Sequence, residues 1–255
     1  MNSTTSDIHT IESTKGNALA YEYLDGTLPA VVFLGGYRSE MSGTKGLWLR
    51  SWCEQHGQAY LRLDYSGHGL SGGQFEDGTI GRWSVDALEV IEHCVKGPMV
   101  LVGSSMGGWI MLLVARHLTQ RVKAMIGIAA APDFTRDLMW KAMDDATRKE
   151  LQTRGVIYID SEYDESPTPI TLKLIQEGEE HLLLDEKIHL NCPVHLLQGK
   201  LDNDVPWQTA ERLMNQLETT DVTISYFKDG DHRLSSPQHL EYLTTILGLL
   251  LARVS

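Results

Sequence analysis

Cysteine is scarce in this chain: three residues in 255, at Cys53, Cys94 and Cys192. No two stand at C-x-x-C spacing, so the sequence encodes neither a disulfide framework nor a thiolate zinc site. Long apolar runs are missing too. The longest, around Ile246 to Leu251, belongs to an amphipathic helical pattern and is too short to span a bilayer. Basic charge is in deficit: 22 Lys and Arg stand against 34 Asp and Glu, for a formal net charge of −12. That field repels phosphate backbones and argues against a nucleic-acid partner. The opening stretch MNSTTSDIHTIESTKGN has no hydrophobic segment and carries Asp7 and Glu12. Neither a signal peptide nor an Arg-rich transit peptide is expected there. HExxH, a Cys/His cluster and a Walker loop are all lacking, so no metal and no cofactor is expected. The expectation is a cytoplasmic protein without stable membrane insertion.

What is present suits a globular domain. Hydrophobic residues make up 42% and charged residues 22%, enough to bury one sizeable core. Apolar strand-like runs alternate with amphipathic helical patterns: strands at 18–24, 30–36, 59–65, 98–104 and 122–131, helices at 44–57, 84–95 and 106–118. Ser84 is the expected cap of the second helix. This rhythm predicts an α/β fold with a mostly parallel sheet covered on both faces. The rhythm breaks at 132–191, where a helix over TRDLMWKAMDDATRKELQ precedes a hairpin from VIYID and TPITL. We read 132–191 as a cap inserted into a single domain spanning 1–255. The rhythm returns with a strand at 193–200, a helix from Pro206, a strand at 222–227 and a final helix.

Gly103-Ser104-Ser105-Met106-Gly107 matches G-x-S-x-G and falls between a buried strand and a helix. A serine there sits on a sharp turn, needs small neighbours two positions away on each side, and faces the free N–H groups of a helix start. That spacing selects Ser105 over Ser104. A serine hydroxyl needs a base in hydrogen-bond reach. Two later loops follow strands: GKLDNDVPW (199–207) supplies an Asp and KDGDHRLSS (228–236) supplies His232. Both lie at carboxyl ends of strands, where open α/β sheets place their ligands. The acid is either Asp202 or Asp204.

The stretches LGGY (34–37), DYSGHGLS (64–71), GSSMGG (103–108), GKLDNDVP (199–206) and GDH (230–232) resemble the α/β-hydrolase superfamily over nearly the whole chain. Within it, GYRSEMSGTKG, GSSMGGW and GDHR resemble the branch containing a mitochondrial acyl-protein thioesterase and acyl-glucuronide esterase. The resemblance implies an eight-stranded, mostly parallel sheet. It places the acid on Asp202. It implies an oxyanion hole from the main-chain N–H groups of Tyr37 and Met106. Where many relatives carry His-Gly after the third strand, this chain has Gly35-Gly36.

The expected activity is serine hydrolysis of carboxylic esters or thioesters of apolar acyl groups, on a small-molecule or acylated substrate. Met139, Trp140, Met143 and Trp207 are expected to line the acyl pocket. C–C bond hydrolysis, acyl transfer, or a silent ligand-binding role are alternatives on the same residues. GHGLSG (67–72) matches G-x-G-x-x-G but opens no helix, which argues against a dinucleotide site. Asp64 and His68 within that stretch are read as loop scaffolding. The acidic runs DSEYDES and EGEEH read as solvated faces.

Overall fold

The computed structural model describes residues 7–160 and 167–254; most of DSEYDES lies outside them. Ten strands and seven α-helices are present among the described residues. The main sheet contains β1 (His9–Glu12), β2 (Ala18–Leu24), β3 (Thr27–Leu34), β4 (Gln58–Leu63), β5 (Met99–Ser104), β6 (Val122–Ile128), β9 (Val194–Gly199) and β10 (Val222–Phe227). Its order is β1-β2-β4-β3-β5-β6-β9-β10. The β1–β2 and β2–β4 pairs are antiparallel; the other pairs are parallel.

The fully apolar strands explain this layering. In β5, Leu101 packs into one buried cluster with Trp83 and Trp109, while Val100 and Val102 point into a second with Phe33 and Leu247. The first face is covered by α2 (Ile80–Cys94) and α3 (Met106–His117), the second by α1 (Thr44–Gln55) and α7 (Pro237–Val254). A sheet buried on both faces requires such continuous hydrophobic strands. No helix among the described residues is long and apolar enough to cross a membrane.

Between β6 and β9 lies a smaller unit. A π-helical turn (Thr135–Trp140) leads to α4 (Asp145–Arg154), the antiparallel hairpin β7 (Val156–Ile159) with β8 (Thr168–Thr171), and α5 (Leu172–Gly178). Its own apolar cluster joins Met143, Leu151, Ile157, Ile170 and Ile175. Arg136 in the π-helical turn and Arg212 on α6 (Gln208–Gln216) share Asp137 and Asp185. This ion cluster ties the unit to the helix that follows β9.

Two local expectations are corrected. Helix α2 begins at Ile80, capped by Thr79, whose hydroxyl accepts from Arg82 N at 3.2 Å; Ser84 is buried inside the helix. The single helix expected from Thr135 is split, because Asp144 accepts from Thr147 N at 2.7 Å and starts α4 afresh. Strand β1 was not anticipated: its four residues are mostly exposed and lack a buried face to create a pattern.

The entry to the smaller unit turns on Asp133, fully buried and at φ 62°. Its carboxylate accepts from Leu183 N at 2.8 Å and Leu184 N at 2.9 Å. Asp133→Ala strands both donors in the interior. It should lower stability by about 2–4 kcal/mol, read as a lower urea midpoint at unchanged slope. An unshifted midpoint would show that the two amides find other partners.

Candidate active site

The site grows from one sharp turn. Ser105 joins β5 to α3 at φ 54° and ψ −121°, outside the regions open to ordinary residues. The turn is held by its own backbone: Ser105 N donates to Ile128 O at 2.9 Å, and Ser105 O accepts from Gly108 N at 2.8 Å and Ala131 N at 3.0 Å. A Cβ on Gly107 would lie 2.1 Å from Leu34 O, so only glycine lets α3 seat on the end of β3.

Two loops converge on this serine. His232 Nε2 lies 3.1 Å from Ser105 Oγ. His232 Nδ1 lies 3.0 Å from Asp202 Oδ2. The Asp202 side chain is fully buried. Its second oxygen, Oδ1, accepts from Asp204 N at 3.0 Å and Val205 N at 2.8 Å. The other candidate, Asp204, is exposed and reaches this cluster through its backbone. Carboxylate oxygens of Asp202 and Asp204 and a His232 nitrogen also lie within 4.8 Å of one another. With one imidazole nitrogen turned to a hydroxyl and the other to a buried carboxylate, the donor set is arranged for proton transfer from Ser105.

The main-chain N–H groups of Tyr37 and Met106 make no hydrogen bond among the described residues. Tyr37 follows the end of β3, Met106 opens α3, and both line the cavity of about 770 Å³ that contains Ser105 and His232. The lining combines apolar Met106, Ala131, Phe134, Leu138 and Met139 with charged Arg38, Glu40, Lys45, Asp204 and Arg233.

The expected acyl-pocket residues divide. Met139 lies on the cavity wall. Met143 and Trp140 pack into the apolar cluster of the smaller unit, and Trp140 also carries the Arg148 guanidinium 5.6 Å from its ring centre. Trp207 faces Lys200, whose Nζ sits 3.2 Å from the indole centre. Met139 and Trp140 are consecutive residues of the π-helical turn and so face different directions, although both also pack against the Met143 cluster.

This architecture can be set beside known proteins. The family model described as "Hydrolase_4: Serine aminopeptidase, S33" matches residues 28–166. The chain belongs to the α/β-hydrolase family. It is 37% identical over 238 residues to human "Palmitoyl-protein thioesterase ABHD10, mitochondrial", covering 93% of this chain and 78% of that one. Among solved structures, alpha/beta hydrolase domain-containing protein 10 from mouse superposes with a TM-score of 0.91 at 35% identity, covering 98% of this chain and all of that one. A protein from Agrobacterium vitis S4 superposes with a TM-score of 0.92 at 39% identity, over 96% of this chain and 98% of that one. This α/β hydrolase is a serine hydrolase acting on ester bonds.

Sequence reading passed over two supporting side chains of this hydrolase. Gln198, fully buried in β9, donates from Nε2 to Asp202 Oδ2 at 2.9 Å; a lone amide in an apolar strand was its signal. Lys45 lines the cavity and donates to Arg233 O at 2.6 Å, next to His232. Burial, with the neighbouring Arg233 adding to it, pulls the Lys45 ammonium down to about 8. His68 was read as scaffolding, and its bonds say what it supports. Its Nε2 accepts from Arg38 N at 3.3 Å, and Nδ1 faces Ser66 O at 3.3 Å. Asp64 holds the same loop, accepting from Met41 N at 2.6 Å and Leu70 N at 2.9 Å.

Burial lowers His68 to about 4, so the folded protein keeps it neutral. Unfolded, it binds a proton below its ordinary pKa of about 6.5. Between those values the unfolded chain holds the extra proton, so stability falls as pH falls. Between pH 6.5 and 4 the wild type should lose about 3 kcal/mol more than His68→Gln. Urea titrations of both proteins at the two pH values measure this; equal losses would remove His68 as the buried neutral group.

Proposed function

We propose that this hydrolase cleaves esters and thioesters of apolar acyl groups through an acyl-enzyme on Ser105. Ser105 Oγ attacks the acyl carbonyl carbon while His232 Nε2 takes the hydroxyl proton. The carbonyl oxygen becomes an oxyanion held by the N–H groups of Tyr37 and Met106. His232 then returns the proton to the departing alkoxide or thiolate. Water, deprotonated by the same nitrogen, attacks the acyl-enzyme and releases the carboxylic acid. Asp202 fixes the imidazole tautomer and stabilises its charged form. The unbroken relay from Ser105 through His232 to Asp202 carries this reading. The chain works as one catalytic domain with residues 132–191 as its cap.

The acyl class rests on the cavity. Its volume lies within the range of about 300–1,000 Å³ usual for small-molecule sites. Phe134, Leu138 and Met139 bring apolar side chains from the cap to the lining, while Glu40, Asp204 and Arg233 are its exposed charged groups. An apolar chain inside and a polar leaving group outside matches that division. The palmitoyl-protein thioesterases among the relatives extend the reading to acylated proteins, whose leaving group is a cysteine side chain. Free Cys53, Cys94 and Cys192 support a reducing compartment. We take this as the cytoplasm; the mitochondrial designation of the relatives is the alternative, separated by imaging a tagged full chain.

A fluorophosphonate probe should label Ser105, and Ser105→Ala should abolish labelling and turnover without unfolding the protein. Asp202→Asn should lower kcat by about 10³–10⁴-fold, with Asp204→Asn far milder. Labelling on Ser104, or the opposite order of the two Asp variants, would overturn these roles.

On p-nitrophenyl esters and acyl thioesters, kcat/KM should rise about fourfold per added methylene until the cavity is full. A constant that is flat, or best for acetyl, would remove the apolar-acyl assignment.

A further inference from the structure

Tyr37 supplies one of the two proposed oxyanion donors from its main chain, yet its side chain leaves the site. The phenol hydroxyl donates to Pro169 O at 2.7 Å. The next residue does the same: Arg38 Nη1 donates to Pro167 O at 2.7 Å. Both acceptors lie at the start of β8, in the cap hairpin. Thr168, between the two prolines, lines the cavity that holds Ser105. A group filling that cavity therefore has, on its walls, both the oxyanion loop and the strand that tethers it.

The loop is otherwise fixed from the sheet side. Arg38 adopts φ 58°, and its N–H is held by buried His68. The Tyr37 ring is lodged edge-on against Phe75, Trp83 and Phe134, with centroids 4.9, 5.8 and 5.9 Å away. Burial raises the phenol pKa above its ordinary value, so the hydroxyl remains a donor. The ring does not need Pro169 for packing. The bond's distinct effect is to link two chain segments 132 residues apart.

We infer that the Tyr37 and Arg38 side chains are positioning groups that couple acyl-chain occupancy of the cap to the aim of the Tyr37 N–H. This rests on the proposed ester and thioester reading. A chain packed against Thr168 holds the Pro167–Pro169 carbonyls in place. Those carbonyls hold the turn, and the turn holds the donor at the developing oxyanion. Binding energy from the far end of the substrate is then expressed in kcat as well as in KM. A short acyl group leaves the hairpin side empty and gains none of this.

The test uses wild type, Tyr37→Phe and Arg38→Met with p-nitrophenyl esters from acetyl to dodecanoyl, resolving kcat and KM separately. Tyr37→Phe removes one oxygen and keeps the ring. In the wild type, kcat should climb with chain length. In each variant that climb should flatten, leaving kcat for the longest ester about tenfold lower relative to wild type than kcat for acetyl, while KM still falls with length. Parallel kcat profiles in wild type and variants, at any absolute level, would reduce the bonds to a structural role and overturn the inference. So would a wild-type kcat independent of chain length. Loss of ester turnover in the wild type itself would count against the proposed function instead. Hydrogen exchange after labelling with a long-chain fluorophosphonate gives an independent readout. Residues 35–41 and 168–171 should gain protection together in the wild type, and 35–41 should not in Tyr37→Phe. Identical protection in both proteins overturns the coupling.

Discussion

Close contact between backbones is the constraint on which the site depends. Helix α3 sits on the end of β3 so tightly that Gly107 cannot carry a methyl group, since Leu34 O occupies that space. Contacts of this kind do not adjust gradually, because main chain cannot rotate away as a side chain can. They set where Ser105 emerges and how far it stands from the loop after β3. The strained backbone at Ser105 persists because Ile128, Gly108 and Ala131 bond to it from three directions.

The partner loops are fixed by the same means. A Cβ on Gly199 would lie 2.2 Å from Gly230 O. Lys200 N donates to Phe227 O and Leu201 N donates to Gly230 O, so the acid loop and the histidine loop are stitched together before any side chain contributes. Asp202 and His232 then meet across a short, predetermined gap. Side-chain bonds from Gln198 to Asp202 and from Lys45 to the His232 loop refine that placement. Gln198 is fully buried, where a hydrogen bond positions a group with little competition from bulk water.

Much of this could be read from the sequence, for identifiable reasons. Buried parallel strands announce themselves as apolar runs, and β3, β4, β5, β6 and β9 were all visible in that way. The glycines around Ser105 and the strand-end positions of the Asp and His loops marked the elements that converge. What remained hidden depended on contacts distant in sequence. Nothing local to Tyr37 points to Pro169, and nothing local to His68 points to Arg38 N. Met139, Trp140 and Met143 share a helical spacing and all meet the cap's apolar cluster, yet among them Met139 lines the cavity, a distinction that spacing does not contain. The residues by themselves left Asp202 and Asp204 open; the family resemblance chose Asp202, whose side chain is the buried one of the two.

Strand β1 has a consequence for the molecule's behaviour among its own copies. It pairs His9 to Glu12 against Ala18 to Tyr21 and so occupies the hydrogen-bonding edge of β2. Without it, β2 would offer a longer row of unpaired amides and carbonyls, a template for edge-to-edge association. The strand that replaces that edge is only four residues long and mostly solvated. A short, polar strand is a poorer template for another chain than the longer edge of β2 would be.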